Sequence, residues 1–248
     1  MTERRLRLRL AYDGTDFVGW QMQSNGRTVQ EELEKALETL HGHPVRSYVA
    51  GRTDSGVHAR GQVVHFDSDA TVPVDRFPMA LNSKLPRDVR VAACGEAARD
   101  FDARRSAARR EYQYYIEPAE FSDPFSRRWA LTLKSCPPIT TMNACASRII
   151  GSHDFTTFSA IGDQSESKIR HVYSAGFNIE GRLITFRIAA NAFLWKMVRS
   201  IVGTILQSCA QKDPPEAMSA VLGARSRKAV GATVPAKGLF LNRVIYDF

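Results

Sequence analysis

Residues Arg5-Leu6-Arg7-Leu8-Arg9-Leu10 alternate charge and aliphatic side chain without a break. A period of two is the signature of a strand with one buried face. The spacing predicts a strand with Leu6, Leu8 and Leu10 inward and the arginines outward, toward solvent or a polyanion. Asp13-Gly14-Thr15 then breaks it. The period next changes to that of a helix. Thr28-Val29-Gln30-Glu31 is a capping-box pattern, with Thr28 able to cap and Glu31 able to reach back. Val29, Leu33, Leu37 and Leu40 follow on one helical face, and Gly42 is a stop. Residues 62–66 and 88–91 read as strands. So does the stretch carrying Tyr112, Tyr114 and Ile116.

The second half repeats these features. Met142, Ala146, Ile149 and Ile150 mark a helix stopped at Gly151, and residues 162–170 form a polar loop. Residues 183–188 read as a strand. Leu194, Met197, Val198, Ile201, Val202, Ile205 and Leu206 then keep the i, i+3, i+4 spacing of the strongest helix. Asp213-Pro214 suits another helix start, with Asp213 as cap, and residues 239–246 a closing strand. The expectation is an α+β protein rather than a doubly wound sheet. It divides near an arginine-rich stretch into halves spanning 1–103 and 104–248.

The chain has 248 residues, with 34 Lys+Arg against 26 Asp+Glu, a net charge of +8 and a pI near 9.5. The charge is concentrated. Arg99, Arg104, Arg105, Arg109 and Arg110 crowd one stretch, Arg4, Arg5, Arg7 and Arg9 another, with no acidic block beside either. Arginine forks suit phosphate, so a polyanion is the favoured partner over mere solubility. Cys94, Cys136, Cys145 and Cys209 form no C-x-x-C pair, which argues against a disulfide framework or cysteine zinc site. The histidines make no metal set, and His41-Gly42-His43 sits at a helix end. No apolar run reaches the roughly 18 residues that a membrane span requires. Met1-Thr2-Glu3-Arg4-Arg5 has no apolar leader core. A soluble cytoplasmic protein is expected.

Gly51-Arg52-Thr53-Asp54-Ser55-Gly56-Val57-His58 is the segment most suggestive of chemistry. Glycines flank a carboxylate in a loop between two strand-like stretches, and such loops commonly carry function. Asp-Ser-Gly is also a common turn former, so Asp54 could simply bond its own backbone. The spacing matches neither a Walker loop nor a dinucleotide fingerprint.

Further motifs accompany this segment in order: Tyr12-Asp13-Gly14-Thr15, Gly19-Trp20-Gln21, Gly61-Gln62-Val63, Phe101-Asp102-Ala103-Arg104 and Tyr112-Gln113-Tyr114. Then come His153-Asp154-Phe155, Asn191-Ala192-Phe193-Leu194, Met197-Val198-Arg199 and Gly238-Leu239. Taken together, the ordered set resembles the tRNA pseudouridine synthase A family over nearly the whole chain. The resemblance implies two similar halves, each a mainly antiparallel sheet backed by helices, with an active-site cleft between them. It also implies a homodimer, a tRNA partner, and isomerisation of uridine at positions 38, 39 and 40 of the anticodon stem-loop. Carried over residue by residue, it makes Asp54 the catalytic aspartate and Arg52 its neighbouring arginine. Tyr112 stacks on the target base, Arg199 pairs with the catalytic carboxylate, and Leu239 lies beneath the base. Arg104, Arg105, Arg109 and Arg110 are expected on the RNA backbone. Glu111 and Trp195-Lys196 depart from the family's usual basic residue and histidine pair.

Elementary chemistry agrees with that expectation. Turning uridine into pseudouridine breaks a C–N bond and makes a C–C bond with no redox change, so no cofactor or metal is expected. It does need a carboxylate as nucleophile or base, beside a cation that keeps it ionised in a closed site. On bland readings, Tyr112, Tyr114 and Ile116 are one core face, Arg199 flanks a core helix, and Leu239 is a core leucine. A tRNA-binding module without catalysis, or an Asp-dependent hydrolase or phosphotransferase, would use parts of the same set. The hydrolase or phosphotransferase should bring a metal cluster or phosphate motif that is not found.

Overall fold

The computed structural model describes residues 3–247. Met1 and Thr2, where the stretch read as lacking a leader begins, lie outside the described residues, as does Phe248. The chain forms two compact units. One runs to Ala108 and resumes at Phe240; the other is Arg109–Leu239.

In the first unit, β1 (Arg4–Tyr12) has the expected inward face, with Leu6, Leu8 and Leu10 wholly buried. Its arginines are less open than expected. Arg5 forks onto Asp67 through Nε and Nη2, both at 2.8 Å, and Arg7 lies over the rings of Phe101 and Tyr246. Arg9 alone of the four is exposed. Most of that charge is therefore spent tying neighbouring segments to the strand.

Helix α1 (Val29–His41) follows its local signals. Thr28 Oγ1 accepts from the Glu31 amide at 3.3 Å, and Gly42 takes the left-handed conformation at φ 78°. The Glu31 carboxylate, expected to reach back to the cap, instead accepts from Lys35 one turn on, at 2.7 Å. Strands β2 (Tyr48–Val49), β3 (His58–Ser68) and β4 (Val89–Glu96) complete the local sheet, with α2 (Phe77–Asn82) packed near β4. β1 lies antiparallel between β3 and β4, placing Leu8 opposite Val64 and Cys94.

The second unit is built on β5 (Arg109–Pro118), β6 (Leu131–Leu133), β7 (Gly151–Asp154), β8 (Ile169–Glu180) and β9 (Leu183–Ala190). β5, β9, β8 and β7 pair antiparallel in that order, while the short β6 joins β5 in parallel. Helices α3 (Ile139–Ser147), α4 (Met197–Ser208) and α5 (Pro214–Gly223) accompany the sheet. Asn143 on α3 exchanges two hydrogen bonds with the backbone of Phe177 on β8. Asp213 caps α5 by accepting from the Glu216 amide.

Some boundaries differ from expectation. α3 ends before Ile149, which is buried in the following turn, while Ile150 is exposed. α4 starts at Met197 because Lys196 is left-handed at φ 62°, so buried Leu194 lies ahead of the helix. The polar loop gives way to β8 already at Ile169. The crossing between units falls at 108/109. The closing strand β10 (Leu239–Ile245) rejoins the first unit from Phe240, pairing parallel to β3 through His58 and Ala59. The architecture is α+β with mainly antiparallel sheets.

Candidate functional site

Asp54 sits in the tight loop between β2 and β3, half-buried between buried Thr53 and exposed Ser55. Main-chain atoms hold the loop from both sides. Trp20 N donates to Thr53 O at 3.0 Å, and Gly56 N to Phe17 O at 3.2 Å. Val57 N closes the turn onto Asp54 O at 3.1 Å, and Gly19 forms an isolated antiparallel bridge with Asp54. Such proximity demands glycine. A Cβ on Gly19 would stand 2.8 Å from Thr53 O, and one on Gly14 would collide with the Val57 carbonyl.

Side chains finish the frame. Gln62 Nε2 donates to Gly51 O at 2.7 Å, and Tyr12 Oη bonds Thr53 Oγ1 at 2.8 Å. Burial pushes the Tyr12 hydroxyl up to about 12, against the pull of its bonds to Thr53 and Gln62. It therefore stays a neutral structural group. His58 Nδ1 accepts from the Gly14 amide at 3.1 Å, and its ring stacks on Phe240 at 4.4 Å. The Asp13 carboxylate is also 3.1 Å from that nitrogen. Arg52 is exposed.

In the second unit, α4 and β5 bring together two of the expected residues and one that was not singled out. Arg199 donates from Nε to Val234 O at 2.8 Å, and the Val234 amide returns a bond to Arg199 O at 3.3 Å. Tyr114 donates to Pro235 O at 2.9 Å. Burial pushes its hydroxyl well up, opposed by the nearby Arg199 charge. Gly238 lets the chain pass directly over the Tyr114 ring, where a Cβ would stand 2.7 Å from Cζ. Leu239, next in sequence, is buried.

Tyr112 and Tyr114 share a strand face yet differ in exposure. Tyr114 and Ile116 are wholly buried, whereas Tyr112 is half-buried and meets the edge of Phe193 at 5.0 Å. A partly open ring, rigidly backed, is suited to stacking on a planar ligand.

The four clustered arginines separate. Arg104 and Arg105 are exposed on a turn whose amides both donate to Asp102 Oδ1 at 2.8 Å. Arg109 lies over the Tyr173 ring at 5.5 Å. Arg110 is only 8% exposed and donates to Asn191 O at 2.7 Å, which ties β5 to the chain after β9. Among the described residues, no group of three His, Cys, Asp or Glu side chains is placed to hold a metal. No helix of the described chain is long and apolar enough to cross a membrane.

The sequence motifs contain Tyr12, Gln62, His58 and Tyr114 without pointing to the framing bonds that these residues make. The signal available for them is a polar or phenolic residue on an otherwise apolar strand face, which must find a partner when buried.

A family model described as tRNA pseudouridine synthase matches residues 10–104 and 145–247. The tRNA pseudouridine synthase A of Halalkalibacterium halodurans is 44% identical over 241 residues, covering 97% of this chain and 92% of that protein. The enzyme of that name from Moorella thermoacetica is 43% identical, with coverages of 97% and 99%. The one from Bacillus subtilis is 41% identical, with coverages of 98% and 99%.

Proposed function

Since this chain belongs to the tRNA pseudouridine synthase family, we propose that it isomerises uridines 38, 39 and 40 of the tRNA anticodon stem-loop, with the Asp54 carboxylate as nucleophile or base. The observation that supports this reading is the loop itself. Its main chain is held by bonds from Trp20 to Thr53, from Gly56 to Phe17 and from Val57 to Asp54, and the Asp54 residue is half-buried. A preorganised carboxylate loses little freedom on reaching the transition state.

The glycosidic C1′–N1 bond breaks, the base turns, and C5 bonds to C1′ while its proton leaves. Asp54 attacks C1′, attacks C6, or removes a proton to give a glycal; each route needs its anion. Arg199 supplies the cation, Tyr112 stacks on the flipped base, Leu239 packs beneath it, and Arg52 binds beside Asp54. Stacking worth about 1–3 kcal/mol offsets part of the cost of unstacking the uridine. Arg104, Arg105 and Arg109 take backbone phosphates. Arg110, buried and bonded to Asn191, acts by holding the strand. The enzyme works in the cytoplasm as a homodimer, without cofactor.

The test is Asp54→Asn, which preserves shape and removes charge. Pseudouridine mapping on an unmodified tRNA transcript should show turnover reduced by at least about 10³-fold. Affinity for tRNA should change by no more than about tenfold. Substantial turnover, after excluding deamidation, would sink the assignment. A parallel loss of binding would make Asp54 a turn-former.

A further inference from the structure

The connection between β9 and α4 exposes a large aromatic ring that the reading above leaves without a role. Of the chain's three tryptophans, Trp20 is 1% exposed, Trp129 is half-buried and Trp195 is 46% exposed. An exposed tryptophan costs apolar hydration, yet this one rests on a built support. Its amide donates to Asp163 Oδ2 at 2.6 Å, and its carbonyl accepts from the Ala160 amide at 3.0 Å.

Asp163 is itself well anchored. Its side chain is 5% exposed and takes Lys168 Nζ at 2.5 Å and the Ser165 amide at 2.9 Å. Burial pushes this carboxyl up, but Lys168 and the Trp195 and Ser165 amides outweigh that and hold it well below the usual range. The anchor is thus ionised at neutral pH. Gly162, at φ 86°, lies against the ring edge, its missing Cβ 3.9 Å from Cζ3.

Lys196 follows in the left-handed conformation, rare for a residue with a side chain. It sets its Nζ 5.1 Å from the Trp195 ring. The same connection places Phe193 on the edge of Tyr112. Arg199 lies in the first turn of α4, three residues beyond Lys196. An exposed planar ring and a half-buried cation therefore stand next in chain to the groups assigned to the target uridine.

We propose that Trp195 is a stacking platform for an unpaired RNA base neighbouring the target uridine, with Lys196 taking that nucleotide's phosphate. The inference rests on the proposed reaction, because it takes RNA as the ligand. Aromatic stacking tolerates any base, so the platform positions the strand without reading its sequence.

The experiment measures tRNA affinity and pseudouridine formation for Trp195→Ala, Trp195→Phe and Lys196→Gly on an unmodified tRNA transcript. Trp195→Ala should weaken binding roughly 5- to 100-fold, and Trp195→Phe should restore most of the loss. Lys196→Gly suits the backbone and removes the charge. It should weaken binding a few-fold and lower the salt slope by close to one phosphate. The same RNA with abasic sites flanking the target should bind Trp195→Ala and wild type nearly alike at one of those sites.

Wild-type affinity for Trp195→Ala, Phe no better than Ala, or losses that add at every abasic site would overturn the platform. Circular dichroism melts of each variant separate loss of fold from loss of contact. If wild type instead modifies uridines outside the anticodon stem-loop, the proposed target is wrong, while the stacking result stands or falls on the affinities alone.

Discussion

Around Asp54 the chain is held by main-chain atoms, and around Arg199 it is held by side chains. The first arrangement places two glycines against carbonyl oxygens and closes with amide bonds from Trp20, Gly56 and Val57. The second uses a guanidinium and a phenol on the carbonyls of Val234 and Pro235. The difference has a physical consequence. A backbone-locked loop tolerates changes of side chain but no added Cβ at its contact points. The side-chain-held cluster depends on its donors as well as on close approach, since a Cβ on Gly238 would meet the Tyr114 ring. The carboxylate proposed to react thus rests in a loop fixed chiefly by main-chain bonds, and the proposed cation, Arg199, in a cluster fixed chiefly by side-chain donors.

The largest effect that separates the frames should come from Gly14→Ala. Its methyl would collide with Val57 O, so the loop must shift or the unit must lose stability, by about 3 kcal/mol. Denaturant unfolding measures this. A loss below about 0.5 kcal/mol would show that the loop is not locked by close approach.

Tyr114→Phe should be gentler, near 1–2 kcal/mol, because it leaves the Pro235 carbonyl without its buried donor. Unfolding checks the cost. Pseudouridine assays check whether the maximal rate holds, as expected if Tyr114 positions the chain and takes no part in the chemistry. A fall in maximal rate larger than the loss of stability explains would give Tyr114 a part in the reaction.

Acid should weaken the second unit at a definable place. Asp163 is held below its ordinary range, so its contribution is present above the unfolded carboxylate's pKa, near 4. It is lost as pH falls through the lower folded value. Asp163→Asn should cost about 1 kcal/mol at pH 7 and flatten the fall in stability below pH 4. An identical acid slope in the variant would remove Asp163 from the account.

Smallest, Arg104→Ala or Arg105→Ala should weaken tRNA binding only a few-fold each and reduce the salt slope by close to one. Filter binding across a salt series reads both quantities. The loop they sit on is held through its amides by Asp102, so the fold should be unaffected.

Much of this was readable along the chain, and the readable parts are those whose cause is local. The alternation of Leu6, Leu8 and Leu10 specifies β1, and Thr28, Gly42 and Asp213 cap their helices through neighbours only a few residues away. α2 and β6 escaped notice because six and three residues are too few to display a period. β8 is not legible because a bulge between Val172 and Ser174 breaks its alternation and Ile169, Tyr173 and Ile179 are exposed. The motif around Asp54 could be picked out, but not the reason that it is rigid. The partners that lock it, Phe17, Gly19 and Trp20, lie more than 30 residues earlier.

Tyr112 and Tyr114 show the same boundary at one position's resolution. Period two puts both on one face, and the sequence has no means to say that the face is sealed at Tyr114 and still partly open at Tyr112. Arg5, Arg7 and Arg9 read as outward, yet Asp67, Phe101 and Tyr246 occupy Arg5 and Arg7, leaving Arg9 to face water. Pattern along a chain specifies period, caps and charge, because these depend on residues within a turn or two of each other. Whether β10 returns to β3, which arginine is spent on a carboxylate, and which tyrosine stays open depend on segments 60 to 180 residues apart. Those pairings exist only once the whole core has closed.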